Sequence, residues 1–112
     1  MEDIQRVMQA SMSDAATEAA AYLRALSNPS RLMILCELLS GEKNVGELER
    51  ALEMGQAYVS QQLARLRTEG LVAGRKDGRI VYYSLSDTRV RPLIELLHSQ
   101  FCEAPTDAFA VE

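Results

Sequence analysis

Apolar side chains recur at helical spacing along most of this chain and give way once, between positions 71 and 85, to two short β-rich runs. Ile4, Val7, Met8 and Met12 mark a short first helix over residues 4–12. Ser13-Asp14 then reads as an N-cap for a second, Ala-rich helix over 13–26. Asn28-Pro29 breaks the chain and Ser30 restarts it. Leu32, Leu35, Cys36, Leu38 and Leu39 form the buried stripe of a helix that ends at Gly41. Asn44 suits the N-cap of a helix over 45–52, and Glu53-Met54-Gly55 a tight turn. A helix over 56–69 follows, with Val59, Leu63 and Leu66 on one face and Gly70 as its cap. The β-rich runs, 71–76 and 79–85, flank Asp77-Gly78, a hairpin-turn dipeptide. A last helix spans 87–102, with Val90, Leu93, Ile94, Leu97 and Phe101 apolar. The predicted fold class is mainly α with a two-stranded β-wing, a winged helix-turn-helix. Residues 1–103 are expected to form one domain, and 104–112 a disordered tail.

The 112 residues suffice for one domain that needs no disulfide or metal to fold. Apolar residues make up 47% and charged residues 25%, an ordinary soluble profile. No apolar run approaches the roughly 20 residues of a membrane span. The acidic start, Met1-Glu2-Asp3-Ile4, lacks a signal-peptide core, so a cytoplasmic location without membrane partners is expected. Two cysteines are too few for a disulfide scaffold.

The net charge of -4 looks wrong for a protein that meets DNA, but its distribution reverses that impression. Residues 1–55 sum to -4 and residues 84–112 to -3, whereas residues 56–83 sum to +3. That basic block coincides with the second helix of the helix-turn-helix and the wing. An acidic body with one basic face suits selective phosphate binding. With Val59, Leu63 and Leu66 turned inward, Gln56, Ala57, Tyr58, Ser60, Gln61, Gln62 and Arg65 are left on outer faces. Gln pairs with adenine and Arg with guanine in the major groove, and hydroxyls commonly bind phosphate. Arg75, Lys76 and Arg79 bracket the wing tip and suit backbone or minor-groove contact. Any one of these glutamines is equally at home on a solvated helix face. Their joint placement with a basic block on an acidic chain points to double-stranded operator DNA as partner.

Several strings then resemble ArsR-type repressors. Ala25-Leu26-Ser27-Asn28-Pro29-Ser30-Arg31-Leu32 looks like their helix opening. Val45-Gly46-Glu47-Leu48 and Val59-Ser60-Gln61-Gln62-Leu63 to Leu66-Arg67 look like their helix-turn-helix. Gly70-Leu71-Val72 and the stretch from Arg79 to Tyr83 look like their wing. The resemblance covers residues 15–102. It implies a homodimer, paired through its N- and C-terminal helices, that blocks promoters and releases DNA on sensing a ligand or chemical change.

Many such repressors sense metals, yet the residues here do not fit. The arsenic and cadmium type carries cysteines where this chain has Asn44-Val45-Gly46-Glu47-Leu48. The zinc type uses an Asp/His set on the last helix. Asp87 matches it, but Arg89, Gln100 and Glu103 stand where His is expected, and His98 is the chain's single histidine. No metal or other cofactor is expected. Cys36 alone reads as a small core residue, whereas Cys102 ends a helix where solvent reaches it. As a pair they resemble the sulfide-responsive subgroup of the BigR/SqrR type and its HlyU-type relatives. That resemblance implies a dithiol which reactive sulfur species oxidise to a disulfide or polysulfide bridge, with release of DNA. A third, N-terminal cysteine of some members is absent. A repressor responding to another oxidant, a metalloid or a small molecule stays open, as does a winged-helix module for protein interaction. No phosphate loop, Ser/His/Asp arrangement or spaced carboxylate pair points to a catalytic residue, so an enzyme is not expected.

Overall fold

Helix α1 runs unbroken from Glu2–Leu26 in the computed structural model, which describes residues 2–86 and 88–103. Two helices were expected here. No Gly or Pro interrupts the stretch, and its Ala content favours helix throughout. Ser13 is therefore interior rather than a cap, and its carbonyl accepts a bond from the Thr17 hydroxyl at 2.9 Å. Helix α2, Pro29–Glu37, begins at the proline itself, because Pro at the first helical position loses no intrahelical bond. Asn28 caps it by accepting from the Arg31 amide at 3.0 Å. A 3₁₀ turn, Leu38–Ser40, completes the segment.

Strand β1, Lys43–Asn44, was not anticipated. Two residues carry no periodicity, and only pairing with a distant segment makes them a strand. Helix α3, Val45–Leu52, opens with a full capping box. The Glu47 amide donates to Asn44 Oδ1 at 2.8 Å, and the Asn44 amide donates to Glu47 Oε1 at 2.9 Å. Helix α4 spans Gln56–Thr68. Strands β2, Val72–Asp77, and β3, Ile80–Leu85, pair antiparallel with Asp77 opposite Ile80. The hairpin turn is thus centred on Gly78-Arg79, one residue later than expected. Gly78 adopts φ +67°, which a glycine takes at little cost. Strand β1 adds to the other edge of β3, giving a three-stranded sheet in the order β1-β3-β2.

Helix α5, Val90–His98, passes into a π-helical turn, Ser99–Glu103. The predicted apolar stripe holds for Val90 and Ile94, which are buried, but fails at Phe101, which is 75% exposed. Asp87, the expected start of this helix, and the expected tail, 104–112, lie outside the described residues.

The core gathers Ile34, Leu35 and Leu38 with Leu48 of α3, the Val59, Leu63 and Leu66 face of α4, and Val90 and Ile94 of α5. Leu71 and Val72 seat the wing against it. Helix α1 joins by its C-terminal end, where Leu26 is buried and Tyr22 and Ala25 pack against the cluster. Among the described residues no helix is long and apolar enough to cross a membrane.

Candidate DNA-reading face and thiol cleft

Burial of Val59, Leu63 and Leu66 orients α4 so that Gln56, Ala57, Tyr58, Ser60, Gln61 and Arg65 are exposed. Gln62 departs from the expected pattern. It is half-buried, and its Oε1 accepts from Arg31 Nη1 at 3.3 Å. The Tyr58 hydroxyl donates to Ser30 Oγ at 2.9 Å, although the residue remains 41% exposed. Both side chains thus fasten α4 to the start of α2. Arg31 is held in turn by the Ala25 carbonyl, 2.7 Å from its Nε.

The wing arginines differ in their freedom. Arg75 forms an ion pair with Glu42 and lies 5.2 Å from the Tyr82 ring centroid. The guanidinium donates to both carboxylate oxygens, holding the Glu42 carboxyl below the usual carboxylate range by hydrogen bonding first and charge second. Lys76 and Arg79 are exposed. Arg79 and Gln56 share a groove of about 420 Å³ with Asn44, Val45 and Ile80, so the wing tip and the start of α4 border one concavity. Sequence reasoning missed Ser30, Arg31 and Glu42 as partners of this face. Their contacts cross 28 to 33 positions of chain and leave no local signature.

Cys36 and Cys102 come together on another side of the molecule. Both line an apolar cleft of about 510 Å³ between α2 and the end of α5, with Leu32, Met33, Leu97, His98 and Phe101. Both are free thiols, Cys36 half-buried and Cys102 exposed. Burial pushes the Cys36 thiol up, and negative charge at Cys102 and Glu37 adds to the rise. The start of α5 is tied to the 38–40 turn where Arg91 Nη1 donates to the Leu39 carbonyl at 3.1 Å. Among the described residues, no group of three or more His, Cys, Asp or Glu is arranged to hold a metal ion.

Two helices joined by a tight turn, the second turned outward beside an antiparallel wing, define a winged helix-turn-helix protein of the DNA-binding class. Residues 28–73 match the description "Bacterial regulatory protein, arsR family". The chain is 47% identical over 93 residues to the transcriptional activator HlyU of Vibrio cholerae, covering 83% of this chain and 86% of that protein. It is 41% identical over 100 residues to the biofilm growth-associated repressor of Agrobacterium fabrum, covering 89% and 86%. The solved structure of reduced HlyU from Vibrio cholerae superposes with a TM-score of 0.79 at 46% identity, over 83% of this chain and 98% of that one. A homodimeric winged helix-turn-helix DNA-binding domain from Mycobacterium bovis gives 0.71 at 30% identity, over 80% and 82%. The chain belongs to the arsR family of bacterial regulatory proteins: it is a transcriptional regulator, not an enzyme.

Proposed function

We propose that this protein is a homodimeric repressor that holds operator DNA while Cys36 and Cys102 are reduced and releases it when reactive sulfur species bridge them. The observation that carries the reading is the shared cleft. Two cysteines 66 positions apart line one apolar cavity, on α2 and on the turn that ends α5. Gln56, Ala57, Tyr58, Ser60, Gln61, Gln62 and Arg65 would meet the major groove, with Arg75, Lys76 and Arg79 on the flanking backbone or minor groove. Gln62 and Tyr58 do so through a surface they also help to brace against α2.

Exposure makes Cys102 the first nucleophile. Its thiolate attacks the outer sulfur of a persulfide, RSSH, forming Cys102–S–SH and releasing RS⁻. The Cys36 thiolate then attacks the Cys102 sulfur and expels HS⁻, leaving a disulfide; its proton passes to water. Attack on the outer sulfur instead transfers it to Cys36 and frees the Cys102 thiolate; once a second RSSH has re-formed Cys102–S–SH, the Cys36 persulfide anion attacks the Cys102 sulfur and expels HS⁻, leaving a trisulfide bridge. A direct disulfide needs Cα atoms within about 7 Å. Closing it pulls the end of the 99–103 turn toward α2. Because α2 is hydrogen-bonded to α4 through Ser30–Tyr58 and Arg31–Gln62, the strain reaches the DNA-reading helix. A coupling of about 1–3 kcal/mol corresponds to roughly 5–150-fold weaker DNA binding.

Dimerisation is supported by apolar side chains left exposed on α1 and α5, among them Met12, Leu23 and Leu96. A second reading rests on the same cleft, whose volume suits a small apolar ligand. Fluorescence anisotropy on a promoter duplex from the protein's own locus separates the two. Reduced protein is expected to bind, and a persulfide donor to release the DNA with an intact-mass change matching a Cys36–Cys102 bridge. Peroxide and glutathione disulfide, run in parallel, identify the class of oxidant. Release that persists in Cys36→Ser and Cys102→Ser variants refutes the dithiol mechanism.

A further inference from the structure

Three arginines from three different helices converge beside the DNA-reading helix. A cleft of about 320 Å³ is lined by Arg24 of α1, Arg31 of α2 and Arg65 of α4, with Ala21, Ala25 and Glu69. One carboxylate faces three guanidinium groups. Among the described residues neither Arg24 nor Arg65 is joined to a carboxylate by an ion pair. Arg24 and Arg65 each stand in the last turn of a helix, where a cation meets the helix dipole favourably. That accounts for each one singly, but not for their meeting with Arg31 in one cavity.

Arg31 is pre-oriented. Its Nε donates to the Ala25 carbonyl at 2.7 Å and its Nη1 to Gln62 Oε1 at 3.3 Å, which uses only part of the donor set. Gln62 precedes Arg65 by one helical turn, so the cavity continues the α4 surface on which Tyr58 and Gln61 lie. A rigid guanidinium flanked by two exposed ones is a strong seat for phosphate oxygens. By contrast, Arg75 on the wing already has Glu42 as its partner.

We infer that Arg24, Arg31 and Arg65 form a backbone-phosphate seat that grips the DNA strand flanking the groove entered by α4. This rests on the operator-binding reading above and adds a contact made by α1 and α2, outside the helix-turn-helix and wing. The seat fixes where the protein sits on the duplex and carries no base preference of its own. It also lies at the foot of α2, so a shift of α2 moves a phosphate contact together with α4.

The test is the salt dependence of operator affinity for wild type, Arg24→Gln and the Arg24→Gln/Arg65→Gln double variant. Both residues are exposed, so the variants should keep the wild-type circular dichroism spectrum and melting temperature. Removing one arginine–phosphate pairing should flatten the slope of log affinity against log salt by about one. The double variant should therefore be flatter by about two, while Arg24→Gln alone leaves the ranking of mutated operators unchanged. Slopes equal to wild type overturn the seat and leave the repressor reading standing. A flat slope in wild type overturns operator binding itself. A thermal shift with inorganic phosphate, present in wild type and absent from the double variant while the operator slopes stay equal, assigns the cavity to a free anion and overturns the DNA contact.

Discussion

Cys36 and Cys102 are the same side chain in different surroundings, and the division of labour proposed for them rests on that difference. Burial is the main cause that raises the Cys36 thiol, so at neutral pH it stays protonated more than an ordinary cysteine. Its thiolate, the reactive form, appears only as pH rises. In a Cys102→Ser variant, the rate of Cys36 alkylation by iodoacetamide should climb steadily and still be rising at about pH 9, above the ordinary thiol midpoint of about 8.5. A plateau below about pH 8 would show a depressed thiol and reverse the assignment of attacking and resolving cysteine. The chain itself showed which residues were chemically able to act, because thiols, guanidiniums and amides are intrinsic to residue type. It did not show which were already engaged. Gln62 and Arg75 both read as free donors for DNA, yet one is bonded to Arg31 and the other to Glu42.

Element boundaries were legible where a local signal exists. The Asn44 cap of α3 was expected from residue type, and the reciprocal bond from Glu47 strengthens it. Replacing Asn44 with Ala should cost about 1 kcal/mol. The cost should appear as a lower urea midpoint with an unchanged slope, since the surface exposed on unfolding is the same. A midpoint equal to wild type would mean that packing of α3 alone sets its start. The Ser13-Asp14 signal misled because a cap residue on an exposed, Ala-rich helix is tolerated when nothing else ends the helix. Strand β1 was invisible for the opposite reason. Its two residues become a strand only because Tyr82 and Tyr83 of β3 lie opposite them.

The whole molecule is flat and spread out for its mass, with extents of 57 × 49 × 20 Å. Its radius of gyration is 17.6 Å, against about 13 Å for a compact domain of this length. Among the described residues, α1 packs on the core near Tyr22, Ala25 and Leu26 and reaches α5 through the Glu18–Arg89 ion pair. A helix of 25 residues with so little tertiary support is expected to find it in a second copy. Leu23→Glu should therefore yield a monomer by sedimentation, abolish the rise of melting temperature with protein concentration, and weaken operator binding sharply. A dimer that persists in this variant would place the interface elsewhere.

The helix-turn-helix followed by a hairpin and a last helix, the inward face of α4 and the basic block over residues 56–83 were determined by the sequence alone. These depend on periodicity and composition, which are local. Tertiary structure alone decided that β1 joins the wing, that Cys36 and Cys102 share a cleft, and that Arg24, Arg31 and Arg65 meet. Each of these joins residues far apart in the chain, or depends on what a segment packs against. Such proximity follows from how the core closes, which no local pattern encodes.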